Sequence, residues 1–251
     1  IGDDENGEGL IKEAMEAGMD LSHVLRVKNH PSSTYISFAD DKGDMFVAFS
    51  DMRVMENMTV EFIRKNASVL KRAKLITIDP SIPVPVIEEL VNVYAKEVPL
   101  YVDPVSIAYA RVIKPYLGAF QMCKPNVYEL EVLSDMKIET DEDLQKACRQ
   151  VLSTGLKEIV VSLGRDGCFY MNRDGLTIRR ALQPLDTVAN ATGAGDAFMA
   201  AWIYGQVNDW DYDTRIDYAL AAGAAALTSE TTVNKEMSLN LLDNMIKERK
   251  K

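Results

Sequence analysis

Hydrophobic and polar positions along the chain alternate between a helical and a strand period for most of its length. Between residues 8 and 18, Leu10, Ile11, Ala14 and Met15 recur on one helical face and Gly18 follows as a stop. The alternating runs 34–38 and 45–49 flank Asp40-Asp41-Lys42-Gly43-Asp44, a pattern that predicts a hairpin over about residues 33–51. Beside an α/β core, such a hairpin is expected to form a small lid. Strand and helix signals then repeat as strand 75–78, helix 84–96, strand 100–102, helix 107–117, strand 119–123 and helix 126–133. Val86, Leu90, Val93 and Tyr94 give the 84–96 helix a single apolar stripe. Thr140 and Asp143 have capping-box spacing ahead of Leu144, Ala147, Cys148, Val151 and Leu152.

Residues 158–163 are too continuously apolar for an edge and read as a central parallel strand. Its C-terminal end delivers Ser162 and Gly164 to the crevice where ligands bind in such sheets. Short strands near 168–171 and 176–179 lead on to an apolar run, 197–203, that reads as a buried helix. The 219–226 run is small on every face and lets a neighbour pack closely. No linker, repeat or low-complexity tract intervenes. The order predicts one domain over 1–251, a three-layer α/β/α fold with a mostly parallel sheet and the 33–51 hairpin as its lid.

Composition narrows the function classes. The 251 residues, 47% hydrophobic, are enough to bury one large core. With 28 basic against 38 acidic residues the net charge is −10, which argues against nucleic acid as a partner. The basic end Lys247-Glu248-Arg249-Lys250-Lys251 is expected to be a solvated, frayed helix end. Cys123, Cys148 and Cys168 form no C-x-x-C pair and read as buried thiols in a reducing, cytoplasmic setting. His23 and His30 are the only histidines and receive no role. No 18-residue apolar run is present, so no membrane partner is expected.

The chemistry concentrates in residues 190–198. Gly193 and Gly195 permit a tight turn and close backbone approach, and the helix that follows points its unpaired N–H groups at that turn, where a phosphate or a developing oxyanion is held. The Gly193–Gly195 turn is therefore a candidate anion site. Asp196 sits beside it, and because two anions repel it reads as a base for a hydroxyl attacking the phosphate. The plain alternative is a helix-capping carboxylate.

This segment resembles the D-T-T-G-A-G-D-x-F signature of the ribokinase-like (PfkB) carbohydrate and nucleoside kinases. Lys124-Pro125-Asn126-Val127-Tyr128-Glu129 is similar to that family's N-x-x-E element, and Ser162-Leu163-Gly164-Arg165-Asp166-Gly167 to its S/T-L-G-x-x-G turn, in the same order and spacing. Ser50-Asp51-Met52-Arg53-Val54-Met55 and Thr228-Ser229-Glu230-Thr231-Thr232-Val233-Asn234 look most like its pseudouridine kinase branch.

The resemblance implies that the backbone N–H groups of Gly193, Ala194 and Gly195 form an anion hole with Asp196 as the base, and it implies ATP and Mg²⁺, with Asn126 and Glu129 holding the metal through its waters, against the plain reading of an N-capped helix. It implies that Ser162, Gly164 and Gly167 border the nucleotide, against a simple tight turn. Asp51 is implied to bind the substrate, against a turn Asp after a strand. The family's ribokinase branch has Asp where this chain has Asn190, so a K⁺ site built with Asn190 and Thr192 is expected to be weaker. The opening Ile1-Gly2-Asp3-Asp4-Glu5-Asn6-Gly7 resembles a segment that in relatives follows several dozen residues, so the fold is expected to be N-terminally incomplete. No G-x-x-x-x-G-K-[S/T] occurs, which removes the P-loop route to the same reaction.

Three functions stay open: a kinase of the 5′-hydroxyl of pseudouridine or a close nucleoside, a ribose-like sugar kinase, and a catalytically silent kinase-fold binding protein. The partner is then a small molecule, with a homodimer left open.

Overall fold

The computed structural model describes residues 1–39, 45–185, 187–190 and 192–249. The 40–44 turn of the expected hairpin lies outside the described residues, as does Ala191. The chain divides into two compact units, Ile1–Val98 and Pro99–Lys251.

In the first unit, helix α1 (Glu5–Glu16) starts where Asp4 accepts the Gly7 N–H (2.9 Å), with Glu5 and Glu8 in the first turn, and Gly18 follows it at φ +81°. Strands β1 (Thr34–Ala39) and β2 (Met45–Asp51) pair antiparallel, with Ile36 opposite Phe49 and Phe38 opposite Val47. Short helices α2 (Val60–Lys65) and α3 (Ala67–Arg72), strand β3 (Ile76–Ile78) and helix α4 (Val84–Glu89) complete it. The expected 84–96 helix is not regular throughout, because Leu90–Tyr94 widens into a π-turn, which lets Leu90, Val91 and Tyr94 all be buried. Arg64 on α2 grips Glu89 on α4 with a two-pronged ion pair (2.8 and 2.9 Å).

The second unit holds strands β4 (Leu100–Val102), β5 (Met122–Cys123), β6 (Glu158–Ser162), β7 (Cys168–Asn172) and β8 (Thr177–Arg180), hydrogen-bonded in that order. β4, β5 and β6 are parallel; β7 and β8 return antiparallel. β6 is thus central, as its apolar run predicts, but parallel on one side only, because the tight Gly164–Gly167 connection can join only antiparallel neighbours. Helix α5 (Ile107–Ile113) follows β4, α6 (Val127–Ser134) and α7 (Asp141–Leu152) follow β5, and α8 (Ala194–Val207), α9 (Tyr212–Leu227) and α10 (Leu239–Arg249) close the unit. The Thr140–Asp143 capping box forms as predicted. Trp202 of α8 and Tyr212 of α9 stack on Tyr170 of β7 at 5.5 and 4.9 Å, so these two helices cover one face of the sheet. All three cysteines are free and buried.

Two expectations change here. Residues 197–203 are not buried all round: Phe198, Met199 and Trp202 face the core while Ala200 is exposed, because α8 borders a cavity on its other side. The basic C-terminal end does not fray before Arg249, whose guanidinium donates to the Gln183 carbonyl (3.1 Å) and also reaches that of Pro184, satisfying oxygens that follow β8. Among the described residues no helix is long and apolar enough to cross a membrane.

One charge sits badly in this core. Glu158, 6% exposed, accepts from the Gln121 side chain through Oε1 (3.0 Å), while Oε2 is buried with no hydrogen-bond partner within bonding distance among the described residues. Burial pushes its carboxyl above the ordinary carboxylate value. A folded-state value above the unfolded one means that stability is fully present below the unfolded value and is lost as pH rises through the folded value. Glu158→Gln is therefore expected to raise stability at pH 8 by about 1–2 kcal/mol and to change little near pH 4. Denaturant melts at the two pH values check this; equal effects at both would contradict it.

Candidate functional site

Three parallel strands end on one edge of the sheet, and a polar residue closes or follows each of them. Asp103 follows β4, Lys124-Pro125-Asn126 follows β5, and Ser162 closes β6. Backbone bonds tie these ends together: the Lys124 N–H donates to the Val102 carbonyl and the Ser162 N–H to the Pro125 carbonyl, both at 3.0 Å, and Asn126 bridges to Ser162. This is the edge at which open α/β sheets take ligands.

Helix α8 starts beside it. Gly193 opens the helix at φ +87°, and a Cβ there would stand 2.5 Å from the Thr232 carbonyl oxygen, so both its backbone angle and its neighbour require glycine. Gly193 offers no side chain to cap the helix, so among the described residues no N-cap side chain takes up the first-turn amides of Ala194 and Gly195 at the positive end of the helix. Asp196 lies exposed on the same turn. At Gly195, a Cβ would meet only the Lys124 ammonium, 3.5 Å away, which places Lys124 beneath the start of α8.

Asn126 and Glu129 form a reciprocal capping box: Asn126 Oδ1 accepts the Glu129 N–H and Glu129 Oε2 accepts the Asn126 N–H, both at 2.9 Å. The plain reading of this pair is therefore real, and it does not consume all four carboxylate lone pairs. Glu129 is only 4% exposed. Burial raises its carboxyl above the ordinary value, the Asn126 N–H opposes that, and Asp103 nearby adds to the rise. Among the described residues no cluster of three or more Asp, Glu, His or Cys side chains suits a metal. The donors here fit Mg²⁺ kept mainly by water and phosphate oxygens, the ion's usual habit, rather than a protein cage.

The other expected residues are placed as follows. Asn190 Oδ1 accepts the Thr192 N–H (2.9 Å), so the side chain offered for a monovalent cation also shapes the turn into α8. Ser162, Gly164 and Gly167 lie on the β6–β7 connection, closed by the Leu163 N–H donating to the Gly167 carbonyl (2.8 Å). Gly167 is required both by its left-handed φ of +80° and by packing, since a Cβ would fall 2.0 Å from the Arg180 carbonyl oxygen; Gly164, at φ +59°, faces open space. Asp51 belongs to the first unit, where both of its carboxylate oxygens are engaged by Arg53, which holds its carboxyl down at about 2.

A cavity of about 520 Å³ runs from Gly193 and Asp196 along α8. Small side chains of α8 and α9, among them Ala200 and Ala222, and the aromatic Tyr204, Trp210 and Tyr218 line it together with residues 232–234 and 237–239. Asn234 ties this part of the lining to α9, donating to the Ala225 carbonyl (2.8 Å) and accepting the Glu236 N–H (2.9 Å).

A helix start with no N-cap side chain, a carboxylate on the same turn and an apolar cavity leading away from it are compatible with a nucleotide-dependent transferase. A family model described as pfkB family carbohydrate kinase matches residues 1–238. The chain belongs to the pfkB family of carbohydrate kinases. It is 31% identical over 240 residues, 95% of this chain and 76% of the relative, to the pseudouridine kinase of Escherichia coli (strain K12). A crystal structure of a putative sugar kinase from Clostridium perfringens is 27% identical, with a TM-score of 0.86 over 99% of this chain and 78% of that one. A putative ribokinase II from E. coli, solved in complex with ATP and Mg²⁺, shares the fold at a TM-score of 0.83 and 21% identity over 99% of this chain and 81% of that one.

The pfkB kinase fold is thus ribokinase-like α/β/α, and the chain is an ATP-dependent sugar or nucleoside kinase by family. In this pfkB member the second unit brings together Gly193, Ala194, Gly195 and Asp196 on one helix turn, and Asn126, Glu129 and Ser162 on adjoining strand ends. Sequence reasoning passed over two residues at the same edge, Asp103 and Lys124, which form an ion pair of 2.7 Å with side chains 18% and 5% exposed. The available signal was a charged residue directly after each of two buried parallel strands. For Glu129, replacement by Gln keeps the capping box and removes the charge, so the midpoint of a Mg²⁺ titration of activity is expected to rise roughly tenfold while the melting temperature stays level or rises, as for other groups that act on a metal through its outer shell. A Mg²⁺ curve identical to that of the parent would contradict a metal role.

Proposed function

We propose that the chain transfers the terminal phosphoryl group of ATP to the 5′-hydroxyl of a nucleoside, with pseudouridine as the preferred acceptor. The carrying observation is Asp196 on the uncapped first turn of α8, at the mouth of the 520 Å³ cavity. In this reading the cavity takes the nucleotide base, the Ala194 and Gly195 amides hold phosphoryl oxygens, and the Asp196 carboxylate takes the proton of the attacking hydroxyl as the P–O bond forms. Asn126 and Glu129 hold Mg²⁺ through its waters, and the ion supplies charge neutralisation on the phosphates when bound. Ser162, Gly164 and Gly167 border the nucleotide, and Asp51 on the β1–β2 lid binds the acceptor, within a single kinase domain. Asn190 and Thr192 make at most a weak K⁺ site.

The choice of acceptor rests on the 31% identity to a pseudouridine kinase and on the resemblance around Asp51 and residues 228–234. The likeness to a putative sugar kinase favours the second reading, a kinase of a free ribose-like sugar. ADP release measured across pseudouridine, uridine, inosine, guanosine, ribose and deoxyribose with saturating Mg²⁺-ATP separates the two. Highest kcat/KM with pseudouridine is expected. Highest kcat/KM with a free sugar moves the assignment to the second reading, and no release with any acceptor leaves the silent binding protein.

A further inference from the structure

We propose that Lys124 is a catalytic cation aimed through the side-chain-free position Gly195 at the phosphoryl group held on α8, and that Asp103 is its positioning residue; this rests on the kinase reading of the site. Lys124 is 4% exposed, so its ammonium is lodged in the protein and not waving in solvent. It nevertheless comes within 3.5 Å of the point where a side chain on Gly195 would begin. Gly195 lies in the helix and carries no positive φ, so its backbone geometry does not ask for glycine. Nor does sterics forbid a methyl group, since 3.5 Å is ordinary contact. What glycine uniquely provides there is an opening onto the ammonium.

The opening falls on the first turn of α8, whose Ala194 and Gly195 amides hold phosphoryl oxygens in the kinase reading. An ammonium has three donors, and Asp103 Oδ2 takes one at 2.7 Å, leaving donor capacity for a phosphoryl oxygen. The charge balance asks for such a group: Asp196, Glu129 and Asp103 are all acidic, and a triphosphate adds to them, so a fixed cation in a poorly solvated position is worth more than one at the surface.

Asp103 is itself fixed. Its Oδ1 accepts the Val105 N–H (3.1 Å), and Val105 is held at φ +62°, a left-handed angle that a β-branched residue rarely adopts, with the Ser106 N–H donating to the Pro104 carbonyl (2.6 Å). Strain kept in a turn directly after β4 is consistent with a carboxylate that must hold one orientation. A purely structural ion pair would need neither this turn nor the gap at Gly195.

Gly195→Ala gives the cleanest test, because alanine favours a helix over glycine and should preserve or raise the melting temperature while covering the ammonium. The probe is the pair of ADP and the β,γ-imido analogue of ATP, each with Mg²⁺, measured by calorimetry alongside kcat. Expected for Gly195→Ala is a kcat lower by roughly a hundred- to a thousandfold, with the preference for the imido analogue over ADP lowered roughly tenfold or more. Lys124→Met combined with Asp103→Asn removes both charges without stranding either one, and the same loss of triphosphate preference is expected. Asp103→Asn alone should lower kcat less, and Lys124→Arg should keep part of the preference that Lys124→Met loses. An unchanged preference in Gly195→Ala and in the double variant, with both folded, overturns the proposal. If the parent protein bound neither nucleotide, the kinase reading would fail as well, whereas a parent that binds and turns over while the variants keep its preference refutes the role of Lys124 alone.

Discussion

Asp196→Asn is expected to lower phosphoryl transfer by roughly two to four powers of ten while leaving nucleotide binding in place, the range for losing a positioned acid–base group. The substitution is nearly isosteric, so the comparison is between a carboxylate that can accept the hydroxyl proton and an amide that cannot. Asp196 stands in the first turn of α8, where its charge also favours the helix by about 0.3–1 kcal/mol through the dipole. A purely structural role therefore forecasts a small fall in melting temperature and persistent activity. A catalytic role forecasts the same small fall with activity nearly gone. Removing a negative charge next to the triphosphate should also leave ATP affinity unchanged or tighter. Single-turnover rates and calorimetric ATP binding on the same preparation decide between the two. Parent-rate turnover in the folded variant, saturated with Mg²⁺-ATP and pseudouridine, would refute the assignment.

Gly193→Ala should damage both stability and rate. The left-handed backbone at φ +87° costs an alanine about 1–2 kcal/mol. The new methyl would also lie 2.5 Å from the Thr232 carbonyl oxygen and 3.0 Å from Thr232 Cγ2, so either the 232 segment or the start of α8 must move. A shift of about 1 Å in the amides proposed to hold the phosphoryl oxygens is enough to cost roughly a hundredfold in kcat, since phosphoryl transfer depends on alignment. The melting temperature should fall by about 2–4 °C for each kcal/mol in a chain of this size. Gly175→Ala is the matched control: Gly175 has φ +90° in the β7–β8 turn and open space around it, so it should lose stability by strain alone and keep the parent rate. Equal rates in the two variants would show that the close approach of Thr232 does not matter to the site.

Much of this protein was legible in its residues one segment at a time. The helical and alternating periods located the principal strands and helices, because burial of one face imposes its period on any sequence that folds. The capping box at Thr140 and Asp143, the buried β6 run and the uncapped start of α8 at Gly193 are set by bonds spanning a few residues, and short stretches encode such bonds directly. The same locality explains how the family signature in residues 190–198, with its partners around Asn126 and Ser162, pointed to phosphoryl transfer before any coordinates.

What only the tertiary structure decided are features made by closure of distant segments. That β6 turns antiparallel to β7, that α8 lines a cavity with the face opposite Phe198 and Trp202, and that Arg249 docks on the carbonyl oxygens after β8 all depend on which surface each element meets. Gly167 looked like a nucleotide glycine and has a packing reason in the Arg180 carbonyl, which no local pattern carries. Lys124, Asp103 and Gly195 lie far apart in the chain, and their meeting depends on parallel strands ending at one edge, where the sheet's geometry gathers residues that sequence distance keeps separate. Sequence specifies the face each element must bury; which charges then share the low-dielectric space left between those faces is settled only when the faces meet.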